Sequence, residues 1–100
     1  MEIKISYKNV NANNEIEDAI NKKSSKLKKY FHGKMHVDWL CSESGGMKNS
    51  EVSVRGDHID LHASASDYNM MVTVDDVTSK LEKQLAKKNS KKKEKDHDKY

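Results

Sequence analysis

Apolar residues along this chain switch between two periods, and the switches mark six elements. In residues 2–8, Ile3, Ile5 and Tyr7 share one face and Glu2, Lys4, Ser6 and Lys8 the other, which predicts a half-buried strand. The asparagine-rich stretch 9–14 follows, and Asn13 or Asn14 suits a helix N-cap. Glu15, Glu17 and Asp18 then lie where a helix dipole favours acids. From about 15 to 31, Ile16, Ala19, Ile20, Leu27, Tyr30 and Phe31 recur at helical spacing, with Lys23 inside the stripe. Gly33 is a suitable stop. A second strand is expected at about 35–42, with Met35, Val37, Trp39 and Cys41 inward, before a Ser44-Gly45-Gly46 loop. A third covers about 50–55, with Val52 and Val54 inward, and Gly56-Asp57 signals a turn. The fourth, about 58–66, alternates Ile59, Leu61, Ala63 and Ala65 with His58, Asp60, His62, Ser64 and Ser66. A second helix is expected over about 69–88, with Met70, Met71, Val74, Val77, Leu81 and Leu85 as its stripe. The β-branched run Val72-Thr73-Val74 opposes its start. Residues 89–100 have no apolar periodicity and read as a flexible lysine-rich tail, so residues 1–88 form the expected domain.

The order is therefore β-α-β-β-β-α. A helix between the first two strands implies a parallel pair joined by a right-handed crossover. The short later connections imply antiparallel hairpins. Each strand has one apolar face, so both helices belong on one side of a four-stranded mixed sheet, an α+β fold whose other face is wet.

Charge sharpens this outline. The formal net charge is only +3, but it is unevenly spread. Segment 22–34 holds six lysines and no acid, and segment 80–100 holds nine lysines against four acids. The remainder is acidic, so the chain presents basic faces to a polyanion. Lys22, Lys26 and Lys29 fall on one edge of the first helix, and Lys80, Lys83, Lys87 and Lys91 repeat that spacing on the second. Taken singly, either row is an ordinary solvated helix face; two rows in one small domain favour phosphate contact. Lys23 is either a snorkelling stem or a cation held in the groove between the helices.

Other chemistries are poorly supported. His58, Asp60 and His62 share a strand face, but the two histidines are about 13 Å apart at strand spacing, too far for one zinc ion. No metal or other cofactor is expected. Asp75-Asp76 reads as acids in the opening turns of a helix, and no phosphate loop or nucleophile elbow is present; no enzyme is expected. Cys41, the only cysteine, reads as a small core hydrophobe. The N-terminus lacks an apolar signal core and no run is long enough to span a membrane, which suggests a cytoplasmic protein. Tyr7, Tyr30, Phe31 and Trp39 map to core faces, so no exposed aromatic platform for unpaired bases is expected. Backbone recognition of folded RNA fits best.

Several stretches resemble the ribosome hibernation-promoting and ribosome-associated inhibitor family, also labelled sigma-54 modulation proteins. They are the opening I-x-I-x-x-x-N-V; the helix end K-x-x-K-L-x-x-Y-F at Lys23, Lys26, Leu27, Tyr30 and Phe31; strand Ile59 to Ala65; and the following helix with Met70, Asp75 and K-L-x-K-Q-L at 80–85. The likeness runs from residue 1 to about 88. It departs where the family often has Asp-Met-Tyr-Ala-Ala, here Asn69-Met70-Met71-Val72-Thr73. The resemblance implies the same fold and binding in the cleft between head and body of the small ribosomal subunit, over the messenger and transfer RNA positions. It implies contacts to ribosomal RNA through Lys23, Lys26, Lys80, Lys83 and Lys87; charge geometry adds Lys22, Lys29, Lys88 and Lys91. A second ribosome-modulating factor is a further implied partner, and the free protein is expected to be a monomer. Long family members add a linker and a dimerising domain; this chain ends at residue 100. Its short tail leans towards the class that promotes ribosome dimers. A stand-alone domain for double-stranded RNA is the competing reading. The extra first strand and the lack of a basic loop before the second helix oppose it.

Overall fold

The computed structural model describes residues 1–30, 33–56 and 59–97, with side chains described through Lys87. It contains β1 (Glu2–Lys8), α1 (Asn14–Lys26) ending in a 3-10 turn (Leu27–Tyr30), β2 (Met35–Ser44), β3 (Met47–Gly56), β4 (Ile59–Asp67) and α2 (Met70–His97). The sheet order is β1-β2-β3-β4. β1 and β2 are parallel, and the β2–β3 and β3–β4 pairs antiparallel, as the alternation predicts.

Register lines up one apolar face. Ile3, Val37, Val54 and Leu61 form one cross-strand row, and Ile5, Trp39, Val52 and Ala63 the next. Ile16, Ile20 and Leu27 from the first helical segment and Val74, Val77, Leu81 and Leu85 from α2 complete the core. Both helices thus cover the same side of the sheet. A fully buried leucine such as Leu81 contributes about 1.5–3 kcal/mol, and this layer is what holds the basic helices in place.

Local chemistry sets the ends. Asn13 caps α1, accepting from the amides of Glu15 (2.8 Å) and Ile16 (3.3 Å). Gly45 and Gly46, at φ +58° and +83°, close the β2–β3 hairpin in a two-residue turn that needs left-handed backbone. That tight turn lets both strands run further than expected.

Two expectations about α2 are corrected. Its buried stripe includes Thr73 and Thr78, while Met70 and Met71 are half-buried. The hydroxyl of Thr73 donates to the Met70 carbonyl (2.6 Å) and lies 2.7 Å from Ser50 Oγ, so the β-branched run is reconciled with a helix by tertiary contact. Asn69 supplies the missing cap, accepting from Met71 N at 2.9 Å. The helix also continues to His97 instead of ending near residue 88. Lysine and glutamate are good helix formers without any apolar period to betray them. The last three residues of the expected tail, together with Phe31 and His58, lie outside the described residues.

Candidate nucleic-acid interface

Helix direction concentrates the lysines. β1, β2 and β4 point the same way, and each helix follows one of the outer two of these strands and runs back across the sheet. The helices are therefore parallel, with both C-terminal halves at one end of the domain. Glu15 and Glu17 occupy the first turn of α1, and Lys23 and Lys26 the last. The macrodipole favours this distribution. It accounts for the position of the cations better than for their number.

The side chains divide the expected contact residues into two groups. Lys22, Lys26, Lys83 and Lys87 are exposed and, among the described residues, make no ion pair. Lys29 lies with its ammonium 5.2 Å from the Tyr30 ring centroid. By contrast, Lys23 Nζ is 3.1 Å from Asp75 Oδ1, bridging α1 to α2. It is the cation in the interhelical groove, with an acid already beside it. Lys80 Nζ donates to the Ser64 carbonyl at 2.6 Å, and Gln84 Nε2 to the His62 carbonyl at 3.2 Å. These two hold the flank of α2 to β4. Lys83 borders the shallow groove beside them, with Glu51, Ser53, His62 and Ser64 on its far wall. The side chains of Lys88 and Lys91 lie outside the described residues.

Sequence reasoning missed three participants. Asp75 reads from sequence only as an acid in the opening turns of α2, because its partner Lys23 lies on the other helix. Gln84 carried no signal, because its partner is a backbone carbonyl. Tyr68 is 78% exposed, which corrects the expectation that no aromatic is available on the surface. As a lone ring it does not form the multi-base platform of a single-strand reader.

The opposite sheet face is chemically quieter. Glu2, His36, Arg55 and Asp60 form one cross-strand row, and Lys4, Asp38, Ser53 and His62 the next. Glu2 contacts His36 (2.9 Å), Asp38 contacts Arg55 (3.5 Å), and Asp60 contacts His62 (3.2 Å). His62 Nδ1 is also 2.9 Å from Ser53 Oγ. Among the described residues no group of three or more His, Cys, Asp or Glu side chains is placed to hold a metal ion.

Polar pins fix the helix layer on the sheet. Trp39 Nε1 donates to Ser24 Oγ at 3.0 Å. Tyr7 Oη donates to Glu17 Oε2 at 2.8 Å. Burial and that neighbouring carboxylate push the Tyr7 phenol up to about 12. Burial also pushes the Cys41 thiol up, which suits a packing role. No helix among the described residues is long and apolar enough to cross a membrane.

Together these features define an α+β domain with one helix-covered, lysine-bearing side and one open side on which most charged groups contact one another. The chain belongs to the sigma-54 modulation protein / S30EA ribosomal protein family, which it matches over residues 3–93. The fold recurs in the N-terminal domain of Thermus thermophilus Protein Y. There the TM-score is 0.77 at 21% identity, covering 85% of this chain and 96% of that one. It recurs also in a ribosomal subunit interface protein from Coxiella burnetii. In that case the TM-score is 0.80 at 20% identity, covering 90% of this chain and 99% of that one. No individual curated protein is significantly similar in sequence.

Proposed function

We propose that this protein is a ribosome hibernation factor. It binds the small ribosomal subunit in the decoding region, blocks the messenger and transfer RNA sites by occupancy, and promotes inactive, dimeric ribosomes without catalysing a reaction. The observation that carries this reading is the set of exposed, unpaired lysines, Lys22, Lys26, Lys83 and Lys87, on the parallel helices. Family membership and the subunit-interface name of the Coxiella protein supply the ribosome as the polyanion. Lys29, Lys88 and Lys91 add phosphate contacts, whereas Lys23 and Lys80 contribute through helices they also hold in place. Residues 1–88 are the binding domain, and segment 89–100 extends its positive charge.

The test is cosedimentation of the purified protein with small subunits, large subunits and an unrelated structured RNA. Selective binding to small subunits, weakening steeply with salt as phosphate counterions are released, is the expected result. Equal affinity for the unrelated RNA would replace this reading with a general structured-RNA binder.

A further inference from the structure

The sheet has two edges, and the chain treats them differently. At β4, Lys80 and Gln84 occupy the carbonyls of Ser64 and His62 from α2. That protects an edge which would otherwise template another strand. At β1, no side chain among the described residues caps the backbone in this way. Its inward residues Ile3, Ile5 and Tyr7 are only half-buried, although their neighbours Val37, Trp39 and Cys41 in β2 are buried.

We propose that the β1 edge pairs with β1 of a second copy of this chain. The strands are antiparallel about a two-fold axis, with Ile5 opposite Ile5 of the second copy. Two self-paired edges related by a two-fold give a closed dimer with one continuous eight-stranded sheet.

The sequence of β1 selects the register. On the outer face, Glu2 then opposes Lys8 of the second copy, and Lys8 opposes Glu2. Lys4 opposes Ser6. On the inner face, Ile3 opposes Tyr7, and Ile5 opposes itself. Opposite charges and aromatic–β-branched pairs are the favourable cross-strand combinations. Moving the partner by two residues keeps the faces aligned but sets Lys4 against Lys4 in one direction and Lys4 against Lys8 in the other. A shift by one residue would place apolar residues against water. The register centred on Ile5 pairs opposite charges at both ends and is the one that keeps all seven residues of β1 paired. The lysines diagonal to one another keep the association weak. The pairing replaces the free monomer expected from sequence, and it leaves the exposed lysines of the helix face uncovered.

Sedimentation equilibrium of the full chain tests the proposal. A dimer population that rises with concentration is expected. Glu2→Lys and Lys8→Glu should each reduce it, because each sets like charges in opposition. The double variant should restore it, and an equimolar mixture of the two single variants should form heterodimers. An oxidised Ile5→Cys variant should crosslink, since directly opposed Cα atoms lie about 4.5–5.5 Å apart, within disulfide reach. A Lys8→Cys variant should not. A chain that stays monomeric to its solubility limit overturns the proposal. So does a dimer indifferent to the charge reversals, or one that crosslinks through Lys8→Cys and not Ile5→Cys. Because Glu2 and Lys8 are exposed, their reversals leave the fold intact, and thermal melts verify this.

Discussion

The two faces of this domain carry similar residue types in opposite states. On the open sheet face, acids meet arginine and histidines, across strands in Glu2–His36 and Asp38–Arg55 and along β4 in Asp60–His62. Much of the charge there is met within the fold, although Lys4 makes no ion pair among the described residues. On the helix face, Lys22, Lys26, Lys83 and Lys87 project without making an ion pair among the described residues. The difference teaches that formal charge is a poor guide to a binding surface. Unpaired charge on a rigid support is a better one, since it is still available to a partner and already positioned.

The harshest test of that contrast removes the unpaired charge. Replacing Lys26, Lys83 and Lys87 together with glutamine should abolish cosedimentation with small subunits. Lysines removed singly should each reduce the salt slope by about one. Each substitution should alter stability by less than about 0.5 kcal/mol, because all three side chains are exposed. His62→Gln, on the self-paired face, is the control and should bind like the parent. If the control loses binding and the triple variant does not, the faces have been assigned the wrong way round.

A second approach loosens the helix layer while leaving every charge in place. Ser24→Ala orphans the buried indole N–H of Trp39. It should cost about 1–3 kcal/mol in denaturant unfolding. A cost near zero would mean that the pin is not needed to seat α1.

A smaller effect separates lysines within the helix face. A double-mutant cycle on Lys23 and Asp75 should give a coupling of about 0–1 kcal/mol, as expected for a partly exposed pair. Lys23→Gln should weaken ribosome binding less than Lys26→Gln, since Asp75 already offsets its charge. The reverse order would make the paired lysine the principal contact.

The smallest effect is invisible at neutral pH. The folded state holds the Tyr7 proton up to about pH 12, against an ordinary value of 10.0. The neutral phenol is therefore the form the fold favours. Its stabilisation is complete below pH 10 and is lost as pH rises from 10 to about 12. Tyrosinate absorbance should show one late-titrating tyrosine, absent in Tyr7→Phe. A parent titration with no late group would remove the argument for the Tyr7–Glu17 pin.

How much of this was legible depended on distance along the chain. The faces of β1 and β4 follow from alternation alone, and the Asn13 cap from local turn chemistry, because each needs only residues nearby. The onset of α2 was opposed by Val72-Thr73-Val74, and what reconciles it is Ser50 on β3. The partner of Lys23 is Asp75 on the other helix, and that of Lys80 is a strand carbonyl. None of these leaves a periodic trace. Tyr68 was missed because it lies between elements, where neither period assigns a face. The lysine rows were found, but a helical wheel cannot tell a paired lysine from an unpaired one.

The hydrogen bond between Trp39 and Ser24 has an optical consequence. Trp39 is the only tryptophan in the chain and is 2% exposed. Its indole rests on the buried face of α1, while Lys22 and Lys26, flanking Ser24 in sequence, are exposed. A polyanion docked on those lysines stands a helix away from the chromophore and cannot quench it by contact. Intrinsic emission therefore gives an unlabelled gauge of helix seating. Constant emission through a titration means that the partner landed on a fixed platform, and a red shift means that it prised α1 from the sheet.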